Sequence, residues 1–269
     1  KTVENDLQIP GVGGKEMGIK RFRLNLLIVS ISVLFLPAIL AAETHHLDWT
    51  ELLQQYVQEG VVDYQGMKKD EARLDRYLEY LQDTDPAQLE KDDQLAFYIN
   101  GYNAYTVKLI LDNFDKGQPP KSIRKIGGFF SSPWDISFAV LGGQTYSLDN
   151  IEHDIIRVQF KEPRIHFAVN CASQSCPRLI SEAYEGEMID RQLEQSTMNF
   201  LMDSSHNYLK GDTLFVSSLF KWYKEDFNND PASFFLAHSS PTFQERLKES
   251  GKVKLKYLDY DWSLNGKNK

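Results

Sequence analysis

The chain has few of the features that would place it in a specialised class. Two cysteines in 269 residues are too few for a disulfide-built scaffold. Positive charge is in deficit: 30 Lys and Arg face 38 Asp and Glu, a net charge of −8. Without a broad basic footprint, general binding to a nucleic-acid backbone is disfavoured. No Pro-, Gly- or Ser-rich linker and no internal repeat divides the chain, which argues against an array of small modules. What is present is ordinary globular material, with 42% apolar and 25% charged residues, so disorder, collagen and a coiled-coil rod are excluded. With 16 Phe, 13 Tyr and 4 Trp, the fold rests on an aromatic-rich apolar core.

Only one long uncharged run occurs, from Leu24 to Leu40. Lys20, Arg21 and Arg23 precede it, and Leu40-Ala41-Ala42 close it before Glu43. A basic segment, a short apolar stretch and small residues in that order have the anatomy of a secretory signal peptide. Met17 suits its start, which makes residues 1–16 an upstream extension and 17–42 the signal peptide. The alternative is an uncleaved membrane anchor, although the run is short for a span. Either way the rest is expected to be exported, to a periplasmic or extracellular location. Removing residues 1–42 takes away five basic and three acidic residues, leaving 227 residues with a net charge of −10. That length suits one domain, 43–269, with no further membrane span and a monomeric state.

Periodicity predicts helices over Asp48–Glu59, Met67–Gln82 and Asp92–Phe114, the last apolar nearly all round and therefore central. Gly142-Gly143 between Asp135–Val140 and Gln144–Tyr146 is a hairpin signal. A helix capped by Ser147 or Asp149 runs to Phe160, and Arg164–Asn170 reads as a short strand. Helices near 187–202 and 218–227 and strands near 213–216 and 253–258 complete the chain. The order implies an α+β fold, mainly helical, with a small and mostly antiparallel sheet.

Three segments carry candidate chemistry. Asn100 and Asn103 share one face of the central helix, where a buried amide needs either backbone partners or a polar cavity. Glu152 and His153 follow a polar helix start, a place that keeps an imidazole neutral and able to accept a proton; capping and an idle surface histidine are the plainer readings. His166, Asn170, Cys171, Ser173, Ser175 and Cys176 lie where an apolar stretch runs into a loop of small residues. Cys171 and Cys176 are five apart. They suit a local disulfide or a reactive thiol, while a lone pair with this spacing is a weak metal signal. The site is expected to hold no metal and no cofactor.

The segments LAFYINGYNAY, LDNIEHDIIR, RIHFAVNCASQSCPRL and SSLFKWYKEDF, in that order, resemble the domain of unknown function 547 family over roughly residues 60–240. Members of that family joined to a glutaredoxin-like domain imply thiol or glutathione chemistry. A more distant similarity is to transglutaminase-like and papain-like folds, in which a central helix precedes a strand carrying histidine, here His166. The central helix departs from that pattern in carrying Asn100 and Asn103 and no cysteine.

Two functions follow. One is an exported cysteine enzyme for acyl or thiol transfer on a glutathione- or peptide-like substrate. In it Cys171 or Cys176 is the nucleophile, His153 or His166 the base, and Glu152 or Asn100 the group orienting the imidazole. Asn103, Asn170, Ser173 and Ser175 would then bind the ligand. The other is a binding module for a small peptide or thiol ligand, its two cysteines joined in a structural disulfide. The segment from Phe220 to Phe227 is expected to be mostly core, with Lys221 or Trp222 at the pocket's border.

Overall fold

Apolar residues on every side make the helix Lys91–Asp112 the centre of the unit Glu43–Lys269. The computed structural model describes residues 36–128 and 132–267, with side chains from residue 46 onward. The expected extension 1–16 and residues 17–35 of the expected leader 17–42 lie outside the described residues. Among these, no helix is long and apolar enough to cross a membrane.

Helix α1 (Leu36–Tyr56) leads into the hairpin β1 (Val57–Gln58) and β2 (Val61–Val62). Next come α2 (Tyr64–Lys69), α3 (Glu71–Asp83) and the central α4 (Lys91–Asp112). Asp92 and Asp93 in the first turn of α4 complement its dipole. Helix α3 buries Leu74, Tyr77, Leu78 and Leu81, the spacing expected of one helical face, and Tyr77 stacks on Trp49 of α1 at 5.6 Å. A second hairpin, β3 (Ala139–Leu141) and β4 (Gln144–Tyr146), turns through Gly142 and Gly143 at φ 57° and 72°. That two-residue turn needs positive φ at both positions, which glycine adopts without strain. The hairpin rests on α4 where Gly101 leaves room: a Cβ there would lie 2.9 Å from Leu141 Cδ2.

After the hairpin, a π-helical stretch (Asn150–Ile156) continues into α5 (Arg157–Phe160). Then α6 (Ile189–Met202), α7 (Leu219–Trp222), α8 (Pro231–His238) and α9 (Pro241–Glu249) share an apolar cluster with a three-stranded sheet. In it β6 (Thr213–Val216) pairs antiparallel with β5 (Tyr208–Lys210) and parallel with β7 (Lys254–Tyr257). The fold is α+β and mainly helical, and the β6–β7 pair is the parallel exception to its antiparallel pairings. Two apolar clusters fill it. One gathers on α4; the other is built largely of phenylalanine, including Phe167, Phe200, Phe220, Phe227, Phe234 and Phe235. Both belong to one compact unit, Glu43–Lys269.

Several expected elements differ: the helix expected over 67–82 is broken at Asp70 into α2 and α3, and the strand expected over 135–140 begins only at Ala139. The Arg164–Asn170 stretch is not a strand: Pro163–Phe167 forms a 3-10 turn, started by Pro163 and capped by Glu162, whose carboxylate accepts from Arg164 N–H at 3.0 Å. Short apolar runs fit either period, and the proline with its preceding carboxylate decided for the turn. The order of central helix and His-bearing strand that suggested a papain-like fold is therefore not formed. The helix expected over 218–227 is helical only at Leu219–Trp222 and continues as turns, with Asn228 and Asn229 at positive φ.

Candidate functional site

The cysteine loop is shaped by amides. Asn103 reaches from α4, donating to Ala168 O at 2.9 Å and accepting from Asn170 N–H at 2.8 Å. The Asn170 side chain donates to Pro177 O at 2.7 Å and accepts from Ala172 N–H at 2.9 Å, closing the loop across its base. Ala172 is fully buried at φ 57°, a strained conformation for a residue with a Cβ, held by these bonds and by Asn265 N–H to Ala172 O at 3.2 Å. The bend brings Cys171 Sγ and Cys176 Sγ to 3.0 Å as free thiols. Cys171 Sγ also lies 3.1 Å from Ser173 Oγ and 3.3 Å from Tyr260 Oη. The hydrogen bond shared with the Cys176 thiol, then those shared with the Ser173 and Tyr260 hydroxyls, hold the Cys171 thiol below its ordinary value despite burial. Burial and the neighbouring Cys171 push Cys176 well above it. Of the two, Cys171 is the thiol that ionises first.

A second group comes from three segments far apart in sequence. His166 Nε2 lies 2.6 Å from Asp226 Oδ2. Arg157 forks onto the same carboxylate, Nε to Oδ2 at 2.7 Å and Nη2 to Oδ1 at 2.9 Å. The hydrogen bond from His166, and then that from Arg157, hold Asp226 far below the usual carboxylate range. In the neutral ring, a carboxylate at Nε2 places the proton there and leaves Nδ1 as an acceptor. Nδ1 is buried without a hydrogen-bond partner, 3.8 Å from Glu152 Oε1. Tyr223 stacks on the imidazole at 3.9 Å, and its hydroxyl is raised by burial and by the charge of Glu152.

Glu152 and His153 reach this place from the π-helical stretch, a local widening often found at functional sites. Its start is closed by reciprocal bonds: Asn150 N–H to Ser147 Oγ at 3.0 Å and Ser147 N–H to Asn150 Oδ1 at 3.1 Å. Arg157 Nη1 donates to His153 Nδ1 at 3.0 Å; guanidinium can only donate, so the neutral ring carries its proton on Nε2, facing Asp149 Oδ1 at 3.4 Å.

Five of the expected residues, Cys171, Cys176, His153, Glu152 and His166, line one cavity of about 210 Å³ together with Asp149, Trp134, Trp222, Tyr223, Tyr260 and Trp262. Asn100 is not among them. Its amide donates to Tyr184 O at 2.8 Å and accepts from Tyr184 N–H at 2.9 Å, so it clamps a backbone and orients no imidazole. Asn103 and Asn170 hold the loop's shape through the bonds above. Ser173 touches the Cys171 thiol, whereas Ser175 Oγ accepts from Asp261 N–H at 2.9 Å and serves the C-terminal segment. Trp222 borders the cavity as expected.

Sequence reasoning missed Asp226, Arg157, Tyr260 and Trp262. Asp226 sat inside the quoted SSLFKWYKEDF segment, and the aromatic spacing of Tyr257, Tyr260 and Trp262 was a usable signal. Among the described residues, no three His, Cys, Asp or Glu side chains gather in a metal-binding arrangement.

Residues 86–201 match the model of a family described as "Protein of unknown function, DUF547". Over that stretch the chain is similar to the DUF547 family. Its matched part contains both cysteines, His153, His166, Glu152 and Arg157, while Asp226 and the aromatic residues 222, 260 and 262 lie beyond it. No curated protein and no solved structure matches the chain significantly.

Proposed function

We propose that this chain is an exported thiol-dependent enzyme for acyl or thiol transfer, acting on a small peptide- or glutathione-like substrate. The observation that carries it is the sharing of one cavity by the thiol with the lowered pKa, Cys171, and by an Asp226-held imidazole whose other nitrogen has no partner. In acyl transfer, His166 Nδ1 takes the Cys171 proton and the thiolate attacks the substrate carbonyl. The tetrahedral intermediate collapses to a thioester as the imidazolium returns that proton to the leaving group. Water or a second acceptor then takes the acyl group, and the thiol is regenerated. Asp226 and Arg157 hold the ring and its tautomer, and Cys176 supplies the hydrogen bond that stabilises the thiolate. Export is supported by the basic, apolar and small-residue order from Lys20 to Ala42.

An activated acetyl ester tests the chemistry. Rapid mixing should give a burst of leaving group, with one acetyl added in the peptide containing Cys171. Cys171→Ala abolishes the adduct, and His166→Ala lowers the acylation rate by about a hundredfold or more, the usual worth of a positioned base. An intact protein that forms no adduct at Cys171 contradicts the enzyme and leaves a binding pocket. Intact mass of the protein from its native host tests export: retention of Leu24–Leu40 contradicts cleavage.

A further inference from the structure

The function proposed above names the reacting groups but not what recognises the remainder of the substrate. The walls of the cavity speak to that. Among its described lining residues, the acidic side chains are Asp149 and Glu152, and no Lys or Arg lines it. Arg157, a cation close by, is already committed: it forks onto Asp226, donates to His153 and lies 5.2 Å over the Tyr223 ring. The same cavity is lined by a run of aromatic rings in contact. Trp222 stacks on Trp262 at 5.7 Å, Tyr260 lies 4.5 Å from Trp262 and 4.8 Å from Trp222, and Trp134 meets Trp262 at 5.5 Å. Arg124 rests on Trp262 at 5.2 Å, so part of this wall already accepts a cation. Trp222 remains 46% exposed, a large apolar surface left uncovered beside a cavity.

The buried interior of the site is unsatisfied as well. His166 Nδ1 has no donor although its side chain is 1% exposed, and it faces the nearly buried Glu152 carboxylate across 3.8 Å. A buried acceptor without a donor is costly, and a ligand removes that cost only by donating a hydrogen bond to it. Burial and the like charges of Asp135, Glu152 and Asp154 also push Asp149 upward against the opposing influence of His153, a crowding that a bound cation relieves.

We propose that the substrate carries a compact alkylammonium group, held against the Glu152 and Asp149 carboxylates and over the Trp222 and Tyr260 rings, while its carbonyl faces Cys171 and His166. The inference rests on the cavity being a substrate site. It adds a choice of substrate: among the peptide- and glutathione-like compounds proposed above, those with a free amine near the reacting carbonyl are taken in preference to those without one. Carboxylates alone would select any cation, and rings alone any apolar group; together they select an organic cation.

The test uses binding alone, so that it stands apart from the chemistry. In the full chain carrying Cys171→Ser, tryptophan fluorescence is titrated with n-butylammonium, n-butanol and butyrate at low ionic strength. The expected result is saturable quenching by n-butylammonium, with at least tenfold weaker effects of n-butanol and butyrate. Glu152→Gln and Trp222→Ala are each expected to weaken n-butylammonium by threefold to tenfold, with near-UV dichroism confirming the fold. Should Glu152→Gln not fold, the half-exposed Trp222 supplies the test by itself. Equal binding of n-butanol, preference for butyrate, no saturation by n-butylammonium, or a folded variant that binds it unchanged overturns the proposal. Cation binding without acylation of the wild-type thiol refutes the enzyme alone; acylation without cation selectivity refutes this inference alone.

Discussion

Two sets of buried polar side chains lie in neighbouring parts of this molecule and are satisfied in opposite ways. On α4, Asn100 and Asn103 are 0% and 2% exposed, and both carbonyl and amide of each bond to backbone, at Tyr184 and around the cysteine loop. In the cavity, His166 and Glu152 are 2% and 6% exposed, but His166 is held by another side chain, Asp226, and keeps a nitrogen without a partner. Amides spent on backbone fix the fold. Titratable groups that hold one another and face a cavity retain the freedom to exchange protons. Burial, which both sets share, does not separate structure from chemistry; the kind of partner does.

The contrast is broken most severely at Asn100. Asn100→Ala orphans both the N–H and the C=O of Tyr184 inside the core, an expected loss of about 3 kcal/mol in urea unfolding. Cys171→Ser, across the divide, should alter stability by less than about 1 kcal/mol. If the two variants unfold alike, the distinction between fold-holding and reactive polar groups fails.

Asp226 holds the second set through His166 without lining the cavity, and it carries stability that depends on pH. Its carboxyl is depressed in the folded state, so the ion-pair contribution is complete above the ordinary Asp range near 3.9 and is lost as pH falls below it. Asp226→Asn should cost about 2 kcal/mol at pH 7 and flatten the fall of stability below about pH 4. Urea midpoints taken across that range decide it; parallel wild-type and variant profiles would contradict the assignment.

Oxidation sharpens the comparison within the loop. With the two sulfurs 3.0 Å apart, a mild disulfide oxidant should join Cys171 to Cys176 with loss of two hydrogens, detected by intact mass. So short a ring restrains the unfolded chain little, and the stability gain should be about 2 kcal/mol or less, while reaction with the ester ceases. The smallest effect belongs to Gly101→Ala. Better helix propensity on α4 offsets the approach of Leu141, so unfolding should shift by less than about 1 kcal/mol in either direction.

Much of the scaffold was legible because local signals specify it. The all-round apolar character of α4, the Gly142-Gly143 turn and the strands at 213–216 and near 254–257 follow from periodicity and turn chemistry. The misread stretch before the cysteines, Arg164–Asn170, was short enough for Pro163 and Glu162 to override its alternation. At the site, the cysteines, both histidines and Glu152 stood out as reactive types in apolar surroundings. Asp226 could not be paired with His166 by any local pattern, since 60 residues separate them and a tertiary contact makes the pair. Asn100 misled for a related reason: a buried amide announces a need for partners and does not say which partners meet it.

The most direct test of the account is the pH dependence of alkylation at Cys171 in the folded protein, read by mass spectrometry of the modified peptide. Iodoacetamide should label Cys171 well before Cys176, with a midpoint below the ordinary thiol value near 8.5 that rises in Cys176→Ala as the donated hydrogen bond is lost. Labelling of both cysteines only after unfolding, or a Cys171 midpoint at or above the ordinary value, would contradict it.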